Sequence, residues 1–163
     1  MRGNNFHHAN SVGLALASQS VSNTTVNGET ISEPWRTGRR ISFLAVGGAF
    51  AASASGRLKV QGLQRADGST WENLKESDGT TDLEFTAASL DDGGAGENAV
   101  LLGTLPMAKL DATTYKAIRV TFQSEGAQAM LMGVAYVISE LYERASGQSD
   151  DLFSKIMPGS PAL

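Results

Sequence analysis

The sequence predicts an all-β protein, an antiparallel β-sandwich, and three observations predict it. The first is the stretch Arg57–Lys75, in which Leu58, Val60 and Gly62 alternate with Lys59 and Gln61, run into Ala66-Asp67-Gly68, and resume as Thr70-Trp71-Glu72-Asn73-Leu74. Period-two patterning on both sides of an Asp-Gly pair signals a β-hairpin, because Asp-Gly tolerates the positive φ of a tight turn. The second is that about seven to nine such short runs follow one another along the chain, with turn residues between them. The third is composition: 18 glycines with abundant Ser and Thr in 163 residues supply many turns, which suits short strands.

Taken in order, Met1–Ala9 offers little to bury and reads as an arm, extending to about residue 10. Ser11–Ser22 reads as a first strand, with Val12, Leu14 and Leu16 on one parity, and Asn27-Gly28 as a second hairpin-type turn. Pro34-Trp35-Arg36-Thr37-Gly38 reads as a loop entering the apolar strand Ile41–Val46, which Gly47-Gly48 breaks or bulges. Beyond the Arg57–Lys75 hairpin come the turn Asp78-Gly79, a run at Asp82–Ala87 with Leu83 and Phe85 inward, a glycine-rich loop Leu90–Asn98, and an apolar strand Ala99–Leu105. Tyr115–Gln123 alternates cleanly, with Ile118, Val120 and Phe122 in and Arg119, Thr121 and Gln123 out.

Gln128–Tyr142 fits two patterns. Leu131, Val134, Ile138 and Leu141 lie on one helical face, whereas Val134, Tyr136, Val137 and Ile138 favour a strand buried on both sides. The turn-like Ser124-Glu125-Gly126 before it favours the strand. From Ala145 the composition shifts to Ser, Gly, Asp and Pro, with Leu152, Phe153, Ile156 and Met157 as anchors, and a short helix capped by Ser149 is expected at Asp150–Ile156. The expected division is an N-terminal arm (1–10), one β-sandwich or jelly-roll domain (11–144) and a C-terminal tail (145–163). Periodicity leaves open whether the strands connect as a jelly roll or as a simpler sandwich.

Bulk properties narrow the function classes. The chain has 17.1 kDa, a net charge of −4 and a pI near 5.1, so it carries no electrostatic footprint for nucleic acid or an anionic membrane. The absence of cysteine removes disulfides, thiolate metal sites and cysteine nucleophiles together. The N-terminus reads poorly as a signal peptide and the apolar stretch Ala129–Ser139 is too short for a transmembrane helix, so a soluble protein made in a cytoplasm is expected.

Few residues are candidates for chemistry. His7 and His8 are adjacent, so on an extended arm they point opposite ways and chelate poorly. Asp91, Asp92 and Glu97 lack the spacing of a dedicated calcium loop and read as a solvated acidic loop. Asp67 has an evident turn role beside Glu72, which argues against an acid/base pair. Asp67-Gly68-Ser69-Thr70-Trp71 departs from the Asp-box of β-propellers, since Asp and Gly are adjacent and Arg65 stands two positions before the Asp. Trp71 then reads as a core or interface residue. No catalytic residue, cofactor or metal is expected. The cluster that stands out is Trp35, Arg36, Arg39 and Arg40, residue types enriched at interface hot spots, and these are the candidate partner-binding residues.

The runs Gly56-Arg57-Leu58-Lys59-Val60-Gln61, Asp67-Gly68-Ser69-Thr70-Trp71-Glu72, Tyr115-Lys116-Ala117-Ile118-Arg119-Val120 and Met130–Ser139 give the segment Ser11–Glu143 a texture that resembles small virion proteins of tailed bacteriophages. The likeness is to capsid decoration or cement proteins with a jelly-roll fold. It implies a non-enzymatic homotrimer or other small homo-oligomer on the surface of a virion, binding the major capsid protein and clamping neighbouring copies of it against internal pressure, with no direct contact to nucleic acid or membrane. Two alternatives stay open at this stage: a carbohydrate-binding sandwich in which Trp35 or Trp71 stacks on a sugar, and a tail or adaptor component of a virion.

Overall fold

A computed structural model describes residues 10–85, 90–94 and 96–141. The expected tail helix, His7 and His8, and nearly all of both arms lie outside these residues; Asn10 opens the first strand. The elements are β1 (Asn10–Val21), β2 (Thr25–Asn27), β3 (Ile31–Ser32), one helical turn α1 (Pro34–Thr37), β4 (Gly38–Phe50), β5 (Ser55–Gln64), β6 (Trp71–Asn73), β7 (Leu90–Asp91), β8 (Val100–Pro106), a 3₁₀ turn at Met107–Lys109, β9 (Tyr115–Glu125) and β10 (Met130–Leu141).

Two antiparallel sheets face each other. The first has the order β1-β10-β4-β8; the second has the order β2-β9-β5-β6, with β3 also on β9 and β7 also on β5. Setting the two-residue strands β3 and β7 aside, the first principal strand pairs with the last (β1 with β10) and the second with the last but one (β2 with β9). The same nesting continues inward, β4 with β8 and β5 with β6. Contacts of β10 with β4 and of β9 with β5 then roll this long nested hairpin into two layers. That connectivity is a jelly roll, and it settles the choice that periodicity left open.

Alternation positions the core. On β9, Ile118, Val120 and Phe122 are fully buried as expected, and on β5 Gly56, Leu58, Val60 and Gly62 face the same interior. From the first sheet Ile41, Phe43, Ala45, Met132, Val134 and Ile138 meet them. Leu83 and Phe85 are half-buried against this core, and the Phe85 ring meets Phe43 edge-on at 5.8 Å. The β10 segment is a strand: Leu131 and Val134, which a helix would align, lie on opposite faces of the sheet, one exposed and the other buried.

Several local expectations are corrected. Val12 and Leu14 do not share a face with Leu16. Pairing slips between Leu14 and Leu16, and Ala15 is the extra residue of a bulge, so Val12 and Leu14 stay outside while Ala15 and Leu16 are buried. Asn27-Gly28 is no hairpin turn, because β2 and β3 both run along β9. Gly28 instead sits where a Cβ would stand 2.0 Å from the Ala15 carbonyl oxygen and 2.9 Å from that of Val120. Pro34–Thr37 forms a helical turn where a loop was expected. Leu90, expected in a flexible loop, is buried in β7 against Gly56.

Candidate interaction surfaces

The expected hot-spot cluster sits where β3 passes through α1 into β4. Glu33 enters α1 in the left-handed region at φ 40°. Its carboxylate takes ion pairs from Arg36 at 3.1 Å and from Arg65 at 3.0 Å. Arg65 also donates to the carbonyls of Ala112 and Tyr115, which ties this end of the sandwich to the segment entering β9. Trp35 is half-buried and packs against the core, so its ring is a structural anchor of α1. Arg40 pairs with Glu140 at 3.2 Å on the neighbouring β10, and Arg39 is exposed. Adjacent strand residues alternate between faces, so the sequence cluster is not one cationic patch. Arg36 belongs to α1 and Arg40 to the edge of the outer face of the first sheet.

Three loops repeat one carboxylate device. In Asp67-Gly68-Ser69-Thr70, Asp78-Gly79-Thr80-Thr81 and Asp111-Ala112-Thr113-Thr114, one aspartate oxygen accepts from the backbone N–H groups two and three residues on. The other oxygen accepts from the last threonine hydroxyl. These are Asx-type turns that satisfy loop amides. The threonine hydroxyl and the amides hold Asp67 down to about 2, and the same arrangement holds Asp78 well below the usual carboxylate range. Asp111 is held equally low by the hydroxyls of Thr113 and Thr114. Glu72 accepts from the Tyr115 hydroxyl at 2.6 Å and from Gln64 at 2.8 Å, so neither Asp67 nor Glu72 is poised as an acid or base. In the acidic loop, Asp92 caps the Ser53 amide, and Glu97 accepts from the amides of Phe50 and Gly93. Among the described residues no group of three His, Cys, Asp or Glu side chains converges to hold a metal.

The outer face of the second sheet is polar and paired within itself. Arg57 meets Glu84 at 2.6 Å, Lys59 meets Asp82 at 3.0 Å, and Lys75 meets the other Asp82 oxygen at 2.5 Å. Hydrogen bonds from Lys75 and Lys59 keep Asp82 at about 2. Arg119 lies 4.1 Å over the Trp71 ring and donates to Gln61. A carboxylate whose native pKa is depressed stabilises the fold above its unfolded value, near 4, and that contribution disappears as pH falls toward the native value. The thermal midpoint is therefore expected to be flat above about pH 5 and to drop between about pH 4 and 2, with a shallower drop in Asp82→Asn. Melting curves followed by circular dichroism check this, and a midpoint unchanged down to about pH 2 would contradict it.

The outer face of the first sheet has the opposite character, and sequence reading missed it. Val12 and Leu14 of β1, Leu44 and Val46 of β4, and Val100 and Leu102 of β8 all point outward and are exposed. A signal was available: Ile41–Val46 and Ala99–Leu105 are apolar on both parities, as strands covered on both faces are. In a two-layer sandwich the second face has nothing over it among the described residues.

No protein-family model and no curated protein sequence matches the chain. Among solved structures it is similar to a chain of infectious bursal disease virus, Gx strain, at 9% identity and a TM-score of 0.40, over 86% of this chain and 32% of that one. It is also similar to a chain of Desmodium yellow mottle tymovirus at 8% identity and a TM-score of 0.37, over 85% of this chain and 90% of that one. A chain of infectious bursal disease virus, Gt strain, matches at 12% identity and a TM-score of 0.30, over 90% and 48% of the two chains. The protein spans about a third of the length of the first of these. Superpositions this loose carry no functional argument, and the jelly roll rests on the strand pairing itself.

Proposed function

We propose that this chain is a non-enzymatic structural protein of a virion, a capsid decoration or cement protein that binds the major capsid protein shell as a small homo-oligomer. The observation that carries the reading is the rolled connectivity of the two sheets, which agrees with the fold implied by the sequence resemblance to phage cement proteins. Two further features support it. The polar groups of the loops are occupied in capping turns and ion pairs, and one whole sheet face offers apolar surface for contact. A sugar-binding reading has less support, because Trp35 packs on the core and Trp71 is stacked with Arg119.

The test is composition of particles. Particles purified from the virus or provirus that encodes the chain are expected to contain it at a fixed ratio to the major capsid protein, read by quantitative mass spectrometry. Its absence from purified particles would overturn the proposal. Arg39→Ala with Arg40→Ala is expected to lower occupancy severalfold with little change in the thermal midpoint, since the exposed Arg40–Glu140 pair contributes at most about 1 kcal/mol. Trp35→Ala is a poorer probe, because it disturbs the packing of α1 as well.

A further inference from the structure

The outer face of the first sheet, which none of the described residues covers, carries an inference that stands apart from the virion reading. We propose that this face pairs two copies of the chain about a two-fold axis, sheet against sheet.

Register places its side chains in rows across four strands. One row runs Val12, Val137, Ser42, Thr104, and the next runs Leu14, Ala135, Leu44, Leu102. Beyond them Gly133 pairs with Val46 and Val46 with Val100. The exposures are large for such residues: Val12 52%, Leu14 54%, Val46 51%, Val100 61% and Leu102 66%. These side chains and Leu44 expose on the order of 500–600 Å² of apolar surface, the upper end of what the largest patch of a monomer reaches. With Ala135, Val137 and the polar margin of Ser42 and Thr104 the face approaches the ~800 Å² that each partner buries in a stable pair.

Chemistry selects a second copy as the occupant. Rows two and three hold no charge, so a two-fold axis brings no like charges together. The charged residues Arg40 and Glu140 lie at one end and pair with each other, giving an apolar centre and a polar rim. A charged partner finds no complement here. Relief also fits self-packing. Ala135 of the central strand β10 leaves a trough between the Val12–Leu14 ridge on β1 and the ridge of β4 and β8, while Gly133 at its far end is buried against Ser18 of β1. A two-fold copy lays its β1 ridge into that trough, at the ~10 Å spacing of packed sheets.

Light scattering on a sizing column tests this with the full chain alone, from about 5 to 200 µM, the range over which a pair of moderate affinity assembles. The expected mass at the upper end is twice 17.1 kDa. Leu102→Glu is expected to weaken the pair at least about 100-fold, leaving far-UV circular dichroism unchanged. The thermal midpoint is expected to stay unchanged at concentrations low enough that both proteins are single chains, because the side chain is exposed in the single chain. Gln123→Glu, on the opposite face, is expected to leave it paired. A monomer at every concentration, a three-fold mass, or a pair untouched by Leu102→Glu would each overturn the proposal. So would a monomer that associates only after Phe153→Glu, which would assign the face to the chain's own C-terminal segment. None of these outcomes depends on whether particles contain the protein.

Discussion

Phe122→Ala is expected to lower stability by about 3–5 kcal/mol, the usual cost of deleting a buried ring together with the cavity left behind. Phe122 is fully buried on β9, between Val26 of β2 and Leu58 of β5, and faces the first sheet. Domains of this size hold only about 5–15 kcal/mol in total, so one such change removes at least about a fifth of the margin and lowers the thermal midpoint by roughly 10 °C. Leu102→Ala, outside the sandwich and 66% exposed, is expected to stay within about 0.5 kcal/mol at low protein concentration. Denaturant titrations of the two variants give the comparison directly. Equal losses would mean that the two faces of the first sheet have been assigned the wrong way round.

Legibility in the sequence follows which strands have one polar face. Tyr115–Gln123 was readable, since Arg119 and Gln123 mark the outer face and the buried parity follows; Thr121, expected outside, is on that face but buried, with its hydroxyl donating to Val26 and Asn27. The Arg57–Lys75 hairpin was readable for the same reason, and Gly68 does take a positive φ of 67°, although the connection spans Arg65–Thr70 and is not a two-residue turn. The first sheet resisted. Its strands are apolar on both parities, so alternation carries no direction, and the Ala15 bulge reverses the pattern halfway along β1. Strand connectivity was not legible at all, because pairing of β1 with β10 joins segments more than a hundred residues apart.

The candidate site shows the same limit. Trp35, Arg36, Arg39 and Arg40 are close in sequence, but convergence in space depends on the element each occupies. A helical turn ending at Thr37 and a strand beginning at Gly38 separate them, and the carboxylates that meet Arg36 and Arg40 come from Glu33 and Glu140. The apolar outer face, by contrast, is assembled from strands of both chain halves. Its members look like ordinary core residues until the count of layers is known. Two layers leave two outer faces; here one is satisfied by ion pairs within itself, and the other has no partner among the described residues.

Gly28→Ala is expected to be a strongly damaging single-methyl change. Gly28 does not adopt a positive φ, so the cost does not come from a left-handed turn. It comes from space: the added carbon would stand 2.0 Å from the Ala15 carbonyl oxygen and 2.9 Å from the Val120 oxygen. Both obstacles are backbone, one from each sheet, and both carbonyls are engaged, Ala15 by the Glu29 amide and Val120 by the Gly28 amide itself. Neither can withdraw without breaking those bonds, so the loss should exceed the 1–3 kcal/mol of ordinary overpacking, at about 4 kcal/mol. Gly68→Ala supplies the contrast. There φ is 67° and the nearest obstacle is the flexible end of Lys116, so about 1 kcal/mol is expected from backbone strain. If Asn27-Gly28 were the hairpin turn its sequence suggests, the two alanines would cost about the same. The predicted ordering, Gly28→Ala far worse than Gly68→Ala in matched urea titrations, holds only if Gly28 is the point where the edge of the second sheet is pinned against the bulge of the first.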